Sequence, residues 1–342
     1  MADCLATEHR IETDGIYSLL WDGNELVDWM GGHRRYTLDG KKTPVIVGYS
    51  YGFDAAVASP SGEFVALVAQ LHTAAVLLRG GQYMRQINRD HYHASTYPYP
   101  LTFARLSDGR EVLIHCPGSY RQLDIEDIVT GERITSAMPR QPDDCFHSRL
   151  SVSPSGRWLM SAGWVWHPVN VVRLYDLNEA MRDPATLDES KVEPPGRWEM
   201  SSAVFIDDET LLVGTLDEFF GDEGNPAEDF PGKHAVAAWK IGAPNYARSI
   251  RLSHPPGTLM PIGADFVVTF FEHPRLYDLR TGALVKEWPE IRSGTQTCSI
   301  TWDNLPPPIA LDSAHARFAV ANDKVIHVVE VDYATLSKEV RH

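Results

Sequence analysis

Short apolar runs alternate along this chain with tight clusters of Gly, Pro, Asn, Asp and Ser. The runs have the two-residue alternation of half-buried strands, and convincing amphipathic helices are nearly absent. One motif recurs: an apolar strand, a tight turn, and a second apolar strand. It appears as YSLLWDGNELVDW (17–29), AAVASPSGEFVALVA (55–69), LTFARLSDGREVLIH (101–115) and RLSVSPSGRWLMSAG (149–163). It continues as SAVFIDDETLLVGT (202–215), TLMPIGADFVVTFF (258–271) and IALDSAHARFAVAN (309–322). The turns fall at Gly23, Gly62, Gly109, Gly156, Asp208, Gly263 and His315, with successive spacings of 39, 47, 47, 52, 55 and 52. A period of about 40–50 residues with four strands per unit predicts a β-propeller. The expected architecture is one all-β domain over 1–342, with seven four-stranded antiparallel blades.

A third strand follows each pair. VVRLYDLNE (171–179) and PRLYDLRTG (274–282) are near-duplicates; RYTLDGK (35–41), LDIEDIVTGE (123–132), VAAWKIGAP (236–244) and VIHVVEVD (325–332) echo them. A more polar fourth strand, such as ALVKEW (283–288) or RSIRLS (248–253), then leads to the next unit. Polar outer strands protect a sheet edge from association. The seventh unit runs out after its third strand near Val331, while residues 1–12 precede the first inner strand. The N-terminal segment is therefore expected to supply the missing outer strand and close the ring. The tail 333–342 reads as a short helix.

Ser59-Pro60-Ser61-Gly62 and Ser153-Pro154-Ser155-Gly156 resemble the inner hairpin of WD-repeat propellers, and Leu276-Tyr277-Asp278-Leu279 followed by Arg280-Thr281-Gly282 resembles their third strand. The resemblance covers essentially the whole chain. No unit opens with Gly-His or ends in a true Trp-Asp, so the family's Asp–His–Ser/Thr–Trp network does not carry over. What the resemblance implies is an interaction platform rather than a particular chemistry.

Composition narrows the partners. With 31 Lys and Arg against 46 Asp and Glu the net charge is −15, and the longest basic runs are Arg34-Arg35 and Lys41-Lys42. Such a surface repels phosphate backbones, so nucleic acid is not an expected partner. Cys4, Cys116, Cys145 and Cys298 are scattered without a CxxC pair and read as free thiols of a reducing compartment. The N-terminus has no apolar signal region, no run is long enough for a membrane span, and no N-x-[ST] sequon occurs. A cytoplasmic protein with no membrane association is expected.

In such propellers the loops between strands two and three, and the connections between blades, share one face. Ten or eleven residues past the hairpin turn come His33, His72, His167 and His273, four equivalent histidines from a total of 14. They read either as a ring for a metal, an anion or proton transfer, or as structural histidines repeated with the unit. The inner rim carries Phe53, Asp54, Tyr97, Tyr99, Phe146, His147, Trp198, Glu199, His254, Trp302 and Asp303, and Trp164, Trp166 and His167 add to the same face. Aromatics interleaved with acids at a channel mouth could bind a cationic, aromatic or sugar-like ligand or a peptide; equally, they could plug the seams between blades. The insertion DEFFGDEGNPAEDFPGKH (217–234) carries Asp217, Glu218, Asp222, Glu223, Glu228 and Asp229 among Phe219, Phe220 and Phe230, and reads as a lid or a disordered loop. The spacing of a calcium loop is missing from it.

Catalytic signatures are thin. Gly48-Tyr49-Ser50-Tyr51-Gly52 matches GxSxG but lacks the strand–turn–helix that makes a nucleophile elbow. Asp90-His91-Tyr92-His93 places two histidines at i, i+2, which alone is weak evidence for a metal. HExxH, GxxxxGK[ST] and GxGxxG are absent. No cofactor or resident metal is expected. The expectation is a binding module that presents its loop-rich face to a protein or small ligand. The rival is a lyase, isomerase or hydrolase working through His147, Glu199, His254 and Asp303 at the channel mouth.

Overall fold

The computed structural model describes residues 5–49, 51–136, 138–219, 231–301 and 305–339. Its strands form seven separate antiparallel sheets. The chain begins with β1 (Ala6–Glu12) and then lays down blade 1 as β2 (Leu20–Asp22), β3 (Glu25–Asp28) and β4 (Arg34–Tyr36). Blade 2 is β5 (Ala55–Ala58), β6 (Phe64–Val68), β7 (Ala74–Arg79) and β8 (Gln82–Asn88). Blade 3 is β9 (Leu101–Arg105), β10 (Glu111–His115) and β11 (Asp124–Asp127); blade 4 is β12 (Ser151–Val152), β13 (Trp158–Val165) and β14 (Val169–Asp176). Blade 5 holds β15 (Trp198–Phe205), β16 (Thr210–Phe219), β17 (Ala235–Lys240) and β18 (Tyr246–Arg251). Blade 6 holds β19 (Leu259–Ile262), β20 (Phe266–Thr269), β21 (Arg275–Asp278) and β22 (Leu284–Glu287). Blade 7 is β23 (Ile309–Asp312), β24 (Arg317–Asn322) and β25 (Val325–Val331).

Blade 7 is completed by β1, which pairs with β25 from Ala6↔Val331 to Glu12↔Val325. The expected closure by the N-terminus is therefore what the fold uses. Side chains reinforce it: Glu8 accepts hydrogen bonds from Lys286 Nζ and Trp288 Nε1, each at 2.9 Å. Leu5 is buried with Met260, Phe266, Trp288 and Leu336. Leu336 belongs to the tail helix α2 (Tyr333–Glu339), which docks beside blade 6 with the Tyr333 ring over the Gly263 turn.

Inner strands of neighbouring blades pack against one another, β2 touching both β5 and β23, and β9 touching both β5 and β12. The core lies in the seams between blades. Met160, Leu174, Met200, Leu211, Val213 and Trp239 fill one between blades 4 and 5. Each such side chain contributes roughly 1.5–3 kcal/mol on burial, so stability is distributed over the ring.

The hairpin glycines behave as the spacing predicts. Gly23, Gly62, Gly109, Gly156 and Gly263 all adopt positive φ, and in the seventh unit Ala316 takes that role beside His315. In blades 1, 3 and 4 the fourth strand shrinks to one bridge: Tyr36↔Lys42, Glu126↔Arg133 and Leu174↔Val192. Pro44, Pro139 and Pro194 follow these bridges closely, and proline cannot donate to a ladder. Blade 4 also inserts a single helical turn, α1 (Leu177–Ala180), capped by Asp176, which the strand-dominated pattern does not announce.

Candidate functional site

The connections between blades and the loops between second and third strands meet on one face of the ring. Their arrangement begins with a buried cation. Arg89 sits at the end of blade 2 and donates to five carbonyls: His72 at 2.8 Å, Gln70 and Tyr97 at 2.9 Å, Pro98 at 3.3 Å, and Ala94. Its guanidinium lies 4.6 Å from the Tyr97 ring and 5.2 Å from the Tyr99 ring. A cation satisfied by backbone dipoles and aromatic faces fixes the 89–100 connection without a carboxylate.

That connection carries Tyr92 and His93 into a cluster of seven aromatic side chains. Phe146 stacks on Trp164 at 3.8 Å with an interplanar angle of 4°, and on Tyr120 at 4.2 Å. Trp166 meets Trp164 edge-on at 5.3 Å and His93 at 5.2 Å, and Tyr92 meets Tyr120 at 5.0 Å. Tyr97 closes the cluster from below, 5.6 Å from Phe146. The backbones of Phe146 and Trp164 are also bridged. Phe146, Trp164 and Tyr97 are buried, whereas Trp166 and Tyr92 are each 42% exposed. The outer rings are thus held by inner ones, with little rotamer freedom left to lose. Acids border them: Asp144 accepts from the Tyr120 hydroxyl at 2.5 Å, and Asp90 accepts from the backbone N–H of Tyr92 and Tyr120. Burial and the Asp144 carboxylate together push the Tyr120 phenol up to about 12.

The connection between blades 6 and 7 spans the mouth of the ring. Thr301 donates its N–H to Thr96 O at 2.9 Å, Ile300 joins the aromatic cluster, and Ser299 Oγ bonds Asn170 Oδ1 at 3.2 Å. Asn170 in turn donates to the Glu199 carboxylate from its backbone and its amide. Burial pushes Glu199 above the ordinary carboxylate range. This strap fills the side of the mouth bounded by blades 2 to 5. It leaves a cavity on the side bounded by blades 6, 7, 1 and 2.

The other residues singled out from the sequence are spread over the face. His147 is buried, with Nε2 3.1 Å from Arg121 O and Nδ1 3.2 Å from Ser161 Oγ; burial, aided by Arg173, holds it down at about 3. His254 contacts Pro255 O at 2.8 Å and the Tyr277 hydroxyl at 2.9 Å. His147, Glu199 and His254 each have separate partners, and none lines the open cavity. Phe53 is buried in the seam between blades 1 and 2, Tyr99 in that between blades 2 and 3, and Trp198 is buried at the start of β15. Asp54 points into the cavity.

The four repeated histidines do not converge on a common centre, and His33 lies against Gly81 of blade 2. His33 stacks on Trp29 at 3.9 Å, His273 contacts Glu287 at 3.0 Å, and His72 and His167 are exposed. Among the described residues no three His, Cys, Asp or Glu side chains form a metal-ligand group. The 90–93 segment is a turn rather than a strand, so its i, i+2 histidines do not share a strand face. Trp302, Asp303, Ser50 and residues 220–230 of the acidic insertion lie outside the described residues. Tyr120 is an aromatic member of the site that the sequence did not single out, and Tyr92 and His93, noted there only for the histidine spacing, join it as aromatics, because their place depends on packing between connections.

No protein-family model matches the chain, and neither does any curated protein. Among solved structures it is similar to Kuenenia stuttgartiensis hydrazine synthase, with a TM-score of 0.60 and 14% identity, covering 94% of this chain and 97% of that one. At that identity the likeness is one of fold. The chain is a seven-bladed β-propeller with an aromatic, acid-bordered patch on its loop-rich face.

Proposed function

We propose that this protein is a binding module that docks a protein partner on its loop-rich face, through Tyr92, His93 and Trp166. One observation carries the reading: exposed rings are buttressed by buried ones drawn from separate connections. Rigid aromatic side chains lose little entropy on contact, which is why they dominate binding hot spots. Asp90 and Asp144 at the border, with a net charge of −15, favour a partner segment rich in Arg or Lys. The WD-like hairpins and third strands fit such a role by analogy of fold. The free thiols Cys116, Cys145 and Cys298 fit a reducing, cytoplasmic setting, and no helix among the described residues is long and apolar enough to cross a membrane.

The test compares cross-linked partners of the wild type, a Tyr92→Ala/Trp166→Ala variant and a Val129→Ser control on the hairpin face. We expect the double variant to fold normally and lose at least about 90% of the captured partner, a change of 1.4 kcal/mol or more. Val129→Ser should retain it. Equal recovery by all three proteins would sink the reading.

A further inference from the structure

The half of the mouth left open by the strap is a cavity of about 430 Å3. Four blades contribute to it: residues 16–20 lead into blade 1, 54–56 into blade 2, Thr258 precedes blade 6, and 305–309 lead into blade 7. Its walls are largely aliphatic, with Leu19, Leu20, Leu305 and Ile309 among them. Asp54 is the one charged side chain among the described lining residues. Phe53 and Asp54 are neighbours in an extended segment, so the ring enters the blade seam while the carboxylate faces the cavity.

One Asp54 oxygen accepts the Gln70 N–H at 2.8 Å. No Lys or Arg among the described residues forms an ion pair with it, and the exposed His72 is the titratable group with the largest influence on it. Burial pushes this carboxyl above its ordinary range. The cavity therefore joins an apolar wall to one negative group that lacks a cation, within a volume typical of small-molecule sites.

We propose that this half of the mouth is a binding site for a small amphiphilic amine. Its ammonium pairs with Asp54 and its hydrocarbon body lies along Leu19, Leu20, Leu305 and Ile309. An anion would meet both Asp54 and the net charge of −15. A neutral ligand would desolvate the carboxylate without pairing it. A divalent metal ion needs more oxygen ligands than one carboxylate supplies. A lysine side chain offers the same ammonium but would occupy only part of the volume, which favours a free amine. The site is separate from the aromatic patch and does not depend on its partner.

Calorimetry with hexylammonium chloride, hexanol and sodium hexanoate tests the assignment. The wild type should bind hexylammonium at least about tenfold more tightly than hexanol, and hexanoate least. Asp54→Asn, which keeps an acceptor for the Gln70 N–H, should bring hexylammonium down to the hexanol level. Ala56→Phe, which fills the cavity, should abolish binding of both. The Tyr92→Ala/Trp166→Ala variant should bind hexylammonium as the wild type does, so failure here is distinguishable from failure of partner docking. Equal affinity for all three compounds, or undiminished hexylammonium binding by Asp54→Asn, overturns the proposal. So does binding of a lysine peptide without binding of hexylammonium. Should Asp54→Asn not fold, the wild-type series and Ala56→Phe decide the question.

Discussion

His147 shows how burial turns a titratable group into a structural one. Its Nε2 faces the Arg121 carbonyl, which requires a donor, and its Nδ1 faces the Ser161 hydroxyl; both bonds suit the neutral imidazole. Its folded pKa is about 3, against 6.5 for an unperturbed histidine. Between those values the unfolded chain binds a proton that the native protein does not. Stability is therefore full above pH 6.5 and falls as the pH drops toward 3, by up to a few kcal/mol. Urea unfolding of the wild type and His147→Gln at pH 7.5, 6 and 5 should show a smaller loss on acidification in the variant. Parallel curves would mean that His147 is not the titrating group. Arg89 is the complementary case, a cation rather than a neutral ring, since five carbonyls and two aromatic faces hold it where no carboxylate reaches. Nothing in the residues around Arg89 advertises this role. Its partners span Gln70 to Pro98, and only the folded connection brings their carbonyls together.

At the scale of single elements, the inner hairpins were the most legible part of the chain, because turn chemistry is local. Gly156 is the strictest case. It adopts φ of +80°, and a Cβ there would lie 1.9 Å from Arg105 O on the neighbouring blade. Gly156→Ala should cost about 2–4 kcal/mol, since positive-φ strain and a clash with backbone add together. Gly62→Ala has comparable backbone strain but open space around the new methyl, and should cost about 1 kcal/mol. Equal losses in chemical denaturation would show that the contact with blade 3 is unimportant. The outer strands were less legible. Three blades reduce theirs to a bridge, and one inserts a helical turn, because edges face fewer packing constraints than inner strands do.

At the scale of the whole molecule, the ring is held shut by β1. Removing residues 1–12 would expose the edge of β25, uncover Trp288 and delete the buried Leu5 and Ile11. We expect the truncated protein to melt more than about 10 °C lower and to self-associate through the open edge. An unchanged melting temperature would contradict closure by this strand. The number of blades, their hairpins and this closure were all readable from the sequence, because strand alternation, turn glycines and a repeat period are properties of neighbouring residues. Phe146, Trp164 and Trp166 could likewise be placed on the loop-rich face by counting from the hairpins. Counting could not show that Tyr92, His93 and Tyr120 join them, or that Thr301 reaches across the mouth to Thr96, 205 positions away. Nor could it divide the mouth into a filled half and an open one. Those outcomes depend on how irregular connections pack against one another once the ring has formed. No periodic signal encodes such contacts, so the sequence by itself determined the propeller, and only the tertiary structure decided what its face presents.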